Sequence, residues 1–88
     1  MTESPNAKIS SLLDELAPRL SEEEVDEIRE LLEKDEEDAA LEALCEEIYE
    51  NDVRILSETY ESIAEIGEEL ELDPSVWEAI QDLVLPED

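Results

Sequence analysis

The chain has 88 residues, 30 of them acidic and five basic, with no His, no Phe, one Cys and one Gly, and its formal net charge is −25. That length holds one domain, spanning 1–88, and not two; the charge turns the chain away from nucleic acid and anionic membranes and toward cationic protein surfaces. Cys45 has no partner for an internal disulfide, Met1-Thr2-Glu3-Ser4-Pro5 lacks the basic and apolar regions of a signal peptide, and no apolar run approaches the roughly 20 residues of a membrane span, so a cytoplasmic setting is expected.

High charge can also mean disorder, but 41% of the residues are hydrophobic and they recur at helical spacing. The spacing predicts an all-α fold, a compact antiparallel bundle of four to five short helices joined by short connections. A first helix runs from about Pro5 to Ala17, capped by Ser4 and ended by Pro18. Its stripe is Ile9, Leu12, Leu13 and Leu16. The second opens on Ser21-Glu22-Glu23-Glu24, a capping box, with Leu20 and Val25 placed for a hydrophobic staple. Its stripe is Val25, Ile28, Leu31 and Leu32. The third starts after Asp35, with Glu36, Glu37 and Asp38 in a first turn that favours negative charge. Leu41, Leu44, Cys45 and Ile48 form its buried face, flanked by Tyr49.

Asn51-Asp52 marks a turn, and Val53-Arg54-Ile55-Leu56 reads as a crossover whose alternating apolar residues enter the core. Ser57 is expected to cap the fourth helix, with Tyr60, Ile63, Ile66 and Leu70 inward. Gly67 lies beside that stripe at a cost of about 1 kcal/mol relative to Ala, so either a neighbour approaches closely there or the helix frays early. Asp73-Pro74 starts a fifth helix with the stripe Val76, Trp77, Ile80, Leu83 and Val84, stopped by Pro86. Residues 1–4 and 86–88 are expected to fray.

Catalytic and metal chemistry find little to work with. Without His there is no zinc set and no Glu-x-x-His di-iron arrangement. The run Asp35–Asp38 continues into Ala39, Ala40 and Leu41 and lacks the alternation and central Gly of an EF-hand loop. Acid–base catalysis needs carboxylates in a desolvated pocket, for which a bundle this small has little room. No enzyme activity, cofactor or metal is expected. Cys45 reads as a small buried hydrophobe and Trp77 as core or core edge. Tyr49 and Tyr60 each fit a core edge or an interface anchor, with Tyr49 favoured for the interface because acids surround it.

The acidic surface therefore carries the functional question. Like-charge pairs such as Glu23/Glu27 and Asp26/Glu30 cost roughly 0.2–0.5 kcal/mol each, and something should offset them. One offset is a cationic partner, met by fast, salt-sensitive association. The other is a salt-adapted proteome in which every protein is acidic. Residues 1–20 carry three acids against Lys8 and Arg19, while the remaining 27 acids face only Arg29, Lys34 and Arg54. Such a near-neutral first helix counts against blanket adaptation.

From about Asp35 onward, Ala40-Leu41-Glu42-Ala43-Leu44-Cys45-Glu46-Glu47-Ile48-Tyr49-Glu50-Asn51-Asp52 is followed by Ile55, Tyr60, Leu72-Asp73-Pro74 and Trp77. This ordered set resembles the MafI family of bacterial immunity proteins, small helical proteins encoded beside polymorphic or contact-dependent inhibition toxins. The resemblance implies an immunity protein, a toxin inhibitor that binds one cognate toxin domain, often a nuclease, and blocks its basic active site inside the producing cell. It fixes no contact residues. On the residues alone, the chosen partner-binding surface is the exposed face and end of the third helix with its turn: Glu46, Glu47, Tyr49, Glu50 and Asp52, clustered charge around an aromatic hot spot. The alternative is a salt-adapted acidic adaptor or structural domain with no toxin partner. Acyl carrier proteins match in size and charge, but no Ser here follows an Asp to carry their prosthetic arm. Colicin-type DNase immunity proteins match in role, but their Asp-Tyr-Thr start and Pro-containing turn are missing.

Overall fold

Residues 4–86 are described by the computed structural model; the fraying expected at 1–3 and 87–88 lies outside them. Among these residues the chain forms α1 (Pro5–Leu16), a 3-10 turn (Ala17–Arg19), α2 (Glu22–Glu33), α3 (Glu37–Glu50), α4 (Ser57–Glu69), α5 (Ser75–Glu78) and a 3-10 turn (Gln81–Leu83). It is a small all-α bundle. Ser4 Oγ accepts the Ala7 N–H at 3.2 Å, so Ser4 is a working cap and not a frayed end. At Pro18, whose ring cannot continue an α-helix, the chain tightens into the first 3-10 turn. The capping box closes α2: Ser21 Oγ accepts Glu24 N–H at 3.3 Å and Glu24 Oε1 accepts Ser21 N–H at 3.2 Å.

Side-chain bonds between helix ends show how the helices run. Asn6 Nδ2, at the start of α1, donates to Leu32 O near the end of α2 at 2.7 Å. Asn51 Nδ2, just past α3, donates to Glu24 Oε1 in the first turn of α2 at 3.3 Å. Thr59 Oγ1, early in α4, donates to Glu15 Oε2, late in α1, at 3.2 Å. Lys8 reaches Glu69 at 3.3 Å, the start of α1 meeting the end of α4. The first four helices therefore alternate up and down. Their inner faces supply an aliphatic centre in which Ile9, Leu13, Ile28, Leu41, Leu44, Ile48, Ile63, Ile66 and Ile80 are fully buried.

Gly67 is explained by close approach. It faces the Trp77 ring so tightly that a Cβ there would lie 2.6 Å from Cε3 and 2.8 Å from Cη2, inside any tolerable contact. Trp77 is buried as expected and serves to dock α5 on α4.

Several expected boundaries are corrected. Leu56 occupies the N-cap of α4 without a side-chain cap bond, and Ser57 is the first helical residue. Glu36 is the N-cap of α3 and so precedes its first turn. Leu31, Tyr60, Leu70, Val76 and Val84 turn inward but are only half-buried, packing against the edge of the core. The fifth helix does not run to Val84. It stops at Glu78, and Val84 is extended (φ −70°, ψ 127°). The cause is the crossover, where buried Ile55 has backbone groups that need partners. The tail supplies them: Ile55 N–H donates to Leu83 O at 3.1 Å and Leu85 N–H donates to Ile55 O at 2.8 Å, a parallel bridge between Ile55 and Val84.

Helix ends carry a further regularity. In α2, α3 and α4 the residue after the C-cap has positive φ: Asp35 (60°), Asp52 (53°) and Glu71 (59°). Each belongs to a Schellman motif, with Glu36 N–H on Leu31 O, Val53 N–H on Ile48 O and Leu72 N–H on Gly67 O. Gly is favoured at that position because a Cβ there costs about 1–2 kcal/mol, and the negative end of the helix dipole disfavours an acid. All three positions are acidic.

Two predictions follow from backbone and packing. Gly67→Ala should gain about 1 kcal/mol of helix propensity yet lower stability by about 1–3 kcal/mol net, because the methyl displaces the indole; urea unfolding measures the sign. Glu71→Gly should raise stability by about 1 kcal/mol, read as a rise of about 4–8 °C in Tm for a domain of this size.

Candidate partner-binding surface

At about 100° per residue, α3 presents three sides. Leu41, Leu44, Cys45 and Ile48 point into the core. Glu42, Glu46 and Tyr49 lie on one flank beside Cys45. Ala40 and Glu47 lie on the other, about 160° around the axis from Tyr49. The first flank faces α5 and the second faces α2, as the bond from Asn51 to Glu24 requires.

The five residues chosen from sequence are divided by this geometry. Glu46, Tyr49 and Glu50 stand on one open groove between α3 and α5, of about 440 Å³, completed by Glu42, Cys45, Ser75, Val76 and Ala79. Tyr49 is 61% exposed. Glu47 is not part of it: the side chain is half-buried and its Oε2 is enclosed without a hydrogen-bond partner among the described residues. Asp52 is exposed in the turn, 3.7 Å from Arg54. Glu42 shares the face of Glu46, Tyr49 and Glu50 by helical spacing alone and was available to sequence reasoning. The opposite wall, Val76 and Ala79, was not, since it depends on how α5 docks.

The groove has an acidic rim, a mostly apolar wall and no basic lining residue. Arg29 lines two depressions that α2 contributes to, and Lys8 lines the one between α1 and α4. At the floor, Cys45 is only 3% exposed. Burial first, then the charge of Glu42, pushes its thiol up to about 12. Tyr60 sits at a core edge, where partial burial, Glu78 and then Cys45 raise its phenol above the ordinary value. Of the two tyrosines, Tyr49 is the more exposed. On the far side of α5's entry, Asp73 Oδ1 accepts the Ser75 N–H at 2.9 Å; the Ser75 backbone and side chain hold its carboxyl below the usual range.

No metal-binding group of three or more His, Cys, Asp or Glu occurs among the described residues. No helix there is long and apolar enough to cross a membrane. No family model matches the chain, no curated protein matches it in sequence and no solved structure matches it.

A buried thiol held near 12 is a poor nucleophile at neutral pH. Cys45 should react with iodoacetamide at least about a hundredfold more slowly in the native chain than in urea; a fast native rate, followed by mass spectrometry, would show that the groove floor opens.

Proposed function

We propose that this chain binds a cationic protein through the α3–α5 groove and acts as an immunity protein, covering the basic active site of a toxin domain, with a nuclease the favoured type. The observation that carries this reading is Tyr49: an exposed aromatic beside Glu46 and Glu50, facing an apolar wall, in a groove without a basic side chain. Acidic residues around the groove supply long-range attraction and raise the association rate. A desolvated aromatic supplies the short-range energy that charge alone does not, since tyrosines are frequent hot spots. Nucleases hold phosphates with cationic side chains, so an acidic groove complements the site that such an enzyme must keep open. Neutralisation by occupancy asks for no catalytic group. The resemblance of the Ala40–Asp52 segment to MafI immunity proteins points the same way.

A second reading has its own support. Asp35, Asp52 and Glu71 occupy left-handed positions where acids are costly, and Asp35 and Glu71 belong to no part of the groove. Acidity spread that widely fits a salt-adapted adaptor or structural domain.

One experiment separates the two. The chain is used as bait in the native host at low and high salt, beside a Glu46→Lys/Glu50→Lys variant and a Tyr49→Ala variant. The immunity reading expects one basic domain, weakened by salt, bound about a hundredfold less tightly by the charge variant and at least about thirtyfold less tightly by Tyr49→Ala. Its nuclease activity should fall to background at one equivalent of wild-type chain. Asp52→Lys should have a small effect. Equal capture by all variants would remove the groove. No specific partner, together with a chain that folds only at molar KCl, would establish salt adaptation instead.

A further inference from the structure

Three large apolar side chains are exposed among the described residues: Tyr49 at 61%, Leu56 at 56% and Leu85 at 41%. All three emerge at one end of the bundle. Tyr49 is in the last turn of α3 and Leu56 immediately precedes α4. Leu85 is tied by its N–H to Ile55 O. The same end holds the close of α1, because Thr59 bonds Glu15 and Arg19 donates to Arg54 O at 2.7 Å. The opposite end, with the start of α1 and the closes of α2 and α4, shows no such side chain among the described residues.

Leu56 and Leu85 are neighbours by backbone geometry. Ile55 pairs with Val84 in a parallel bridge, and paired residues point to the same side of a pleat. Ile55 and Val84 turn inward, one buried and one half-buried. The next pair, Leu56 and Leu85, alternates to the other side, and both are exposed, on extended backbones held about 4.8 Å apart by that bridge. Neither leucine lines the groove.

We infer that this leucine pair is a second anchor for the same partner, a cationic protein surface that also presents apolar side chains; the inference rests on the basic-partner reading above. Eight residues line the groove, whereas a stable interface takes roughly 20–30 residues a side, so the groove alone is too small. The charge at this end selects the occupant. Glu22, Glu23, Glu50, Asp52 and Glu58 are exposed there. The arginines are engaged, Arg19 with Arg54 O and Arg54 with Asp52. A second copy of this chain would set a net charge of −25 against its like, and an anionic membrane is repelled for the same reason. A cationic surface with apolar side chains satisfies both features.

The test titrates the isotope-labelled chain at low salt with two short peptides of equal charge, one alternating Lys with Leu and one alternating Lys with Ser. The leucine peptide should bind about tenfold more tightly, with amide shifts at residues 55–57 and 84–85 as well as along the groove. The surface variant Leu56→Ser/Leu85→Ser, checked for an unchanged far-UV spectrum, should lose that preference and keep the binding of the serine peptide. Equal affinity for both peptides with shifts confined to the groove overturns the leucine anchor and leaves the basic-partner reading standing. A preference that survives in the double variant also overturns the anchor. No binding of either peptide to the wild-type chain overturns both.

Discussion

The indole of Trp77 lies against Gly67, and the α3–α5 face of the molecule depends on that contact. Because residue 67 has no side chain, the ring can settle onto the backbone of α4 and bring α5 with it. Docked there, α5 sets Val76 and Ala79 opposite Glu46 and Tyr49 and so builds the groove. The segment after it is then aimed back along the bundle. Ile80 and Leu83 enter the core, and the tail reaches the crossover to satisfy Ile55 on both backbone sides. Groove and leucine pair are thus two consequences of one close packing.

Against this stands the charge. The ion pairs among the described residues, Lys8 with Glu69, Arg29 with Asp14 and Arg54 with Asp52, are all at least partly solvated, and such pairs contribute about 0–1 kcal/mol each. They cannot neutralise 30 carboxylates. Cohesion comes from the aliphatic centre and from local backbone closures: the Ser4 cap, the Ser21–Glu24 box and the Schellman motifs, the last made in spite of their acidic residues. A fold held in this way tolerates acids wherever water covers them. It would tolerate them better still with a cationic surface or concentrated cations nearby, which links stability to the functional question.

How much of this was legible in the chain differs by element. The stripes of α1, α2 and α3 are legible because a bundle helix buries one face, and period alone says which. The capping box is legible because its chemistry is local. The end of the fifth helix is not. Val76, Trp77, Ile80, Leu83 and Val84 keep helical spacing, yet Val84 is drawn into extended pairing by Ile55, a partner almost thirty positions away. The candidate site divides in the same manner. Glu46, Tyr49 and Glu50 share a face that the helix period predicts. Glu47 is adjacent in sequence but turns toward α2, a consequence of applying closeness along the chain where angle around the helix decides. Glu42 follows from the angle, while Val76 and Ala79 enter only with the docking of α5. Nothing local marks Leu85 as outward, because its orientation is set by the bridge.

The near-neutral first helix takes on a different meaning in the fold. It counts against general salt adaptation only if α1 is as free to carry charge as its neighbours. In fact α1 packs against α2, α3 and α4, and between Pro5 and Leu16 only Ser11, Asp14 and Glu15 are exposed. Its low charge follows from its central place, and Lys8 and Asn6 are spent on the ends of α4 and α2. The distribution of acids therefore does not separate partner binding from salt adaptation. The exposed apolar side chains are the feature on which the proposed docking surface rests instead. A proteome selected for solvation in salt gains acids on open surface but has no use for a tyrosine and two leucines left uncovered at a single end. Their gathering there, beside an acidic groove without a basic lining residue, is what the proposed docking would use, and the capture experiment decides between it and solvation.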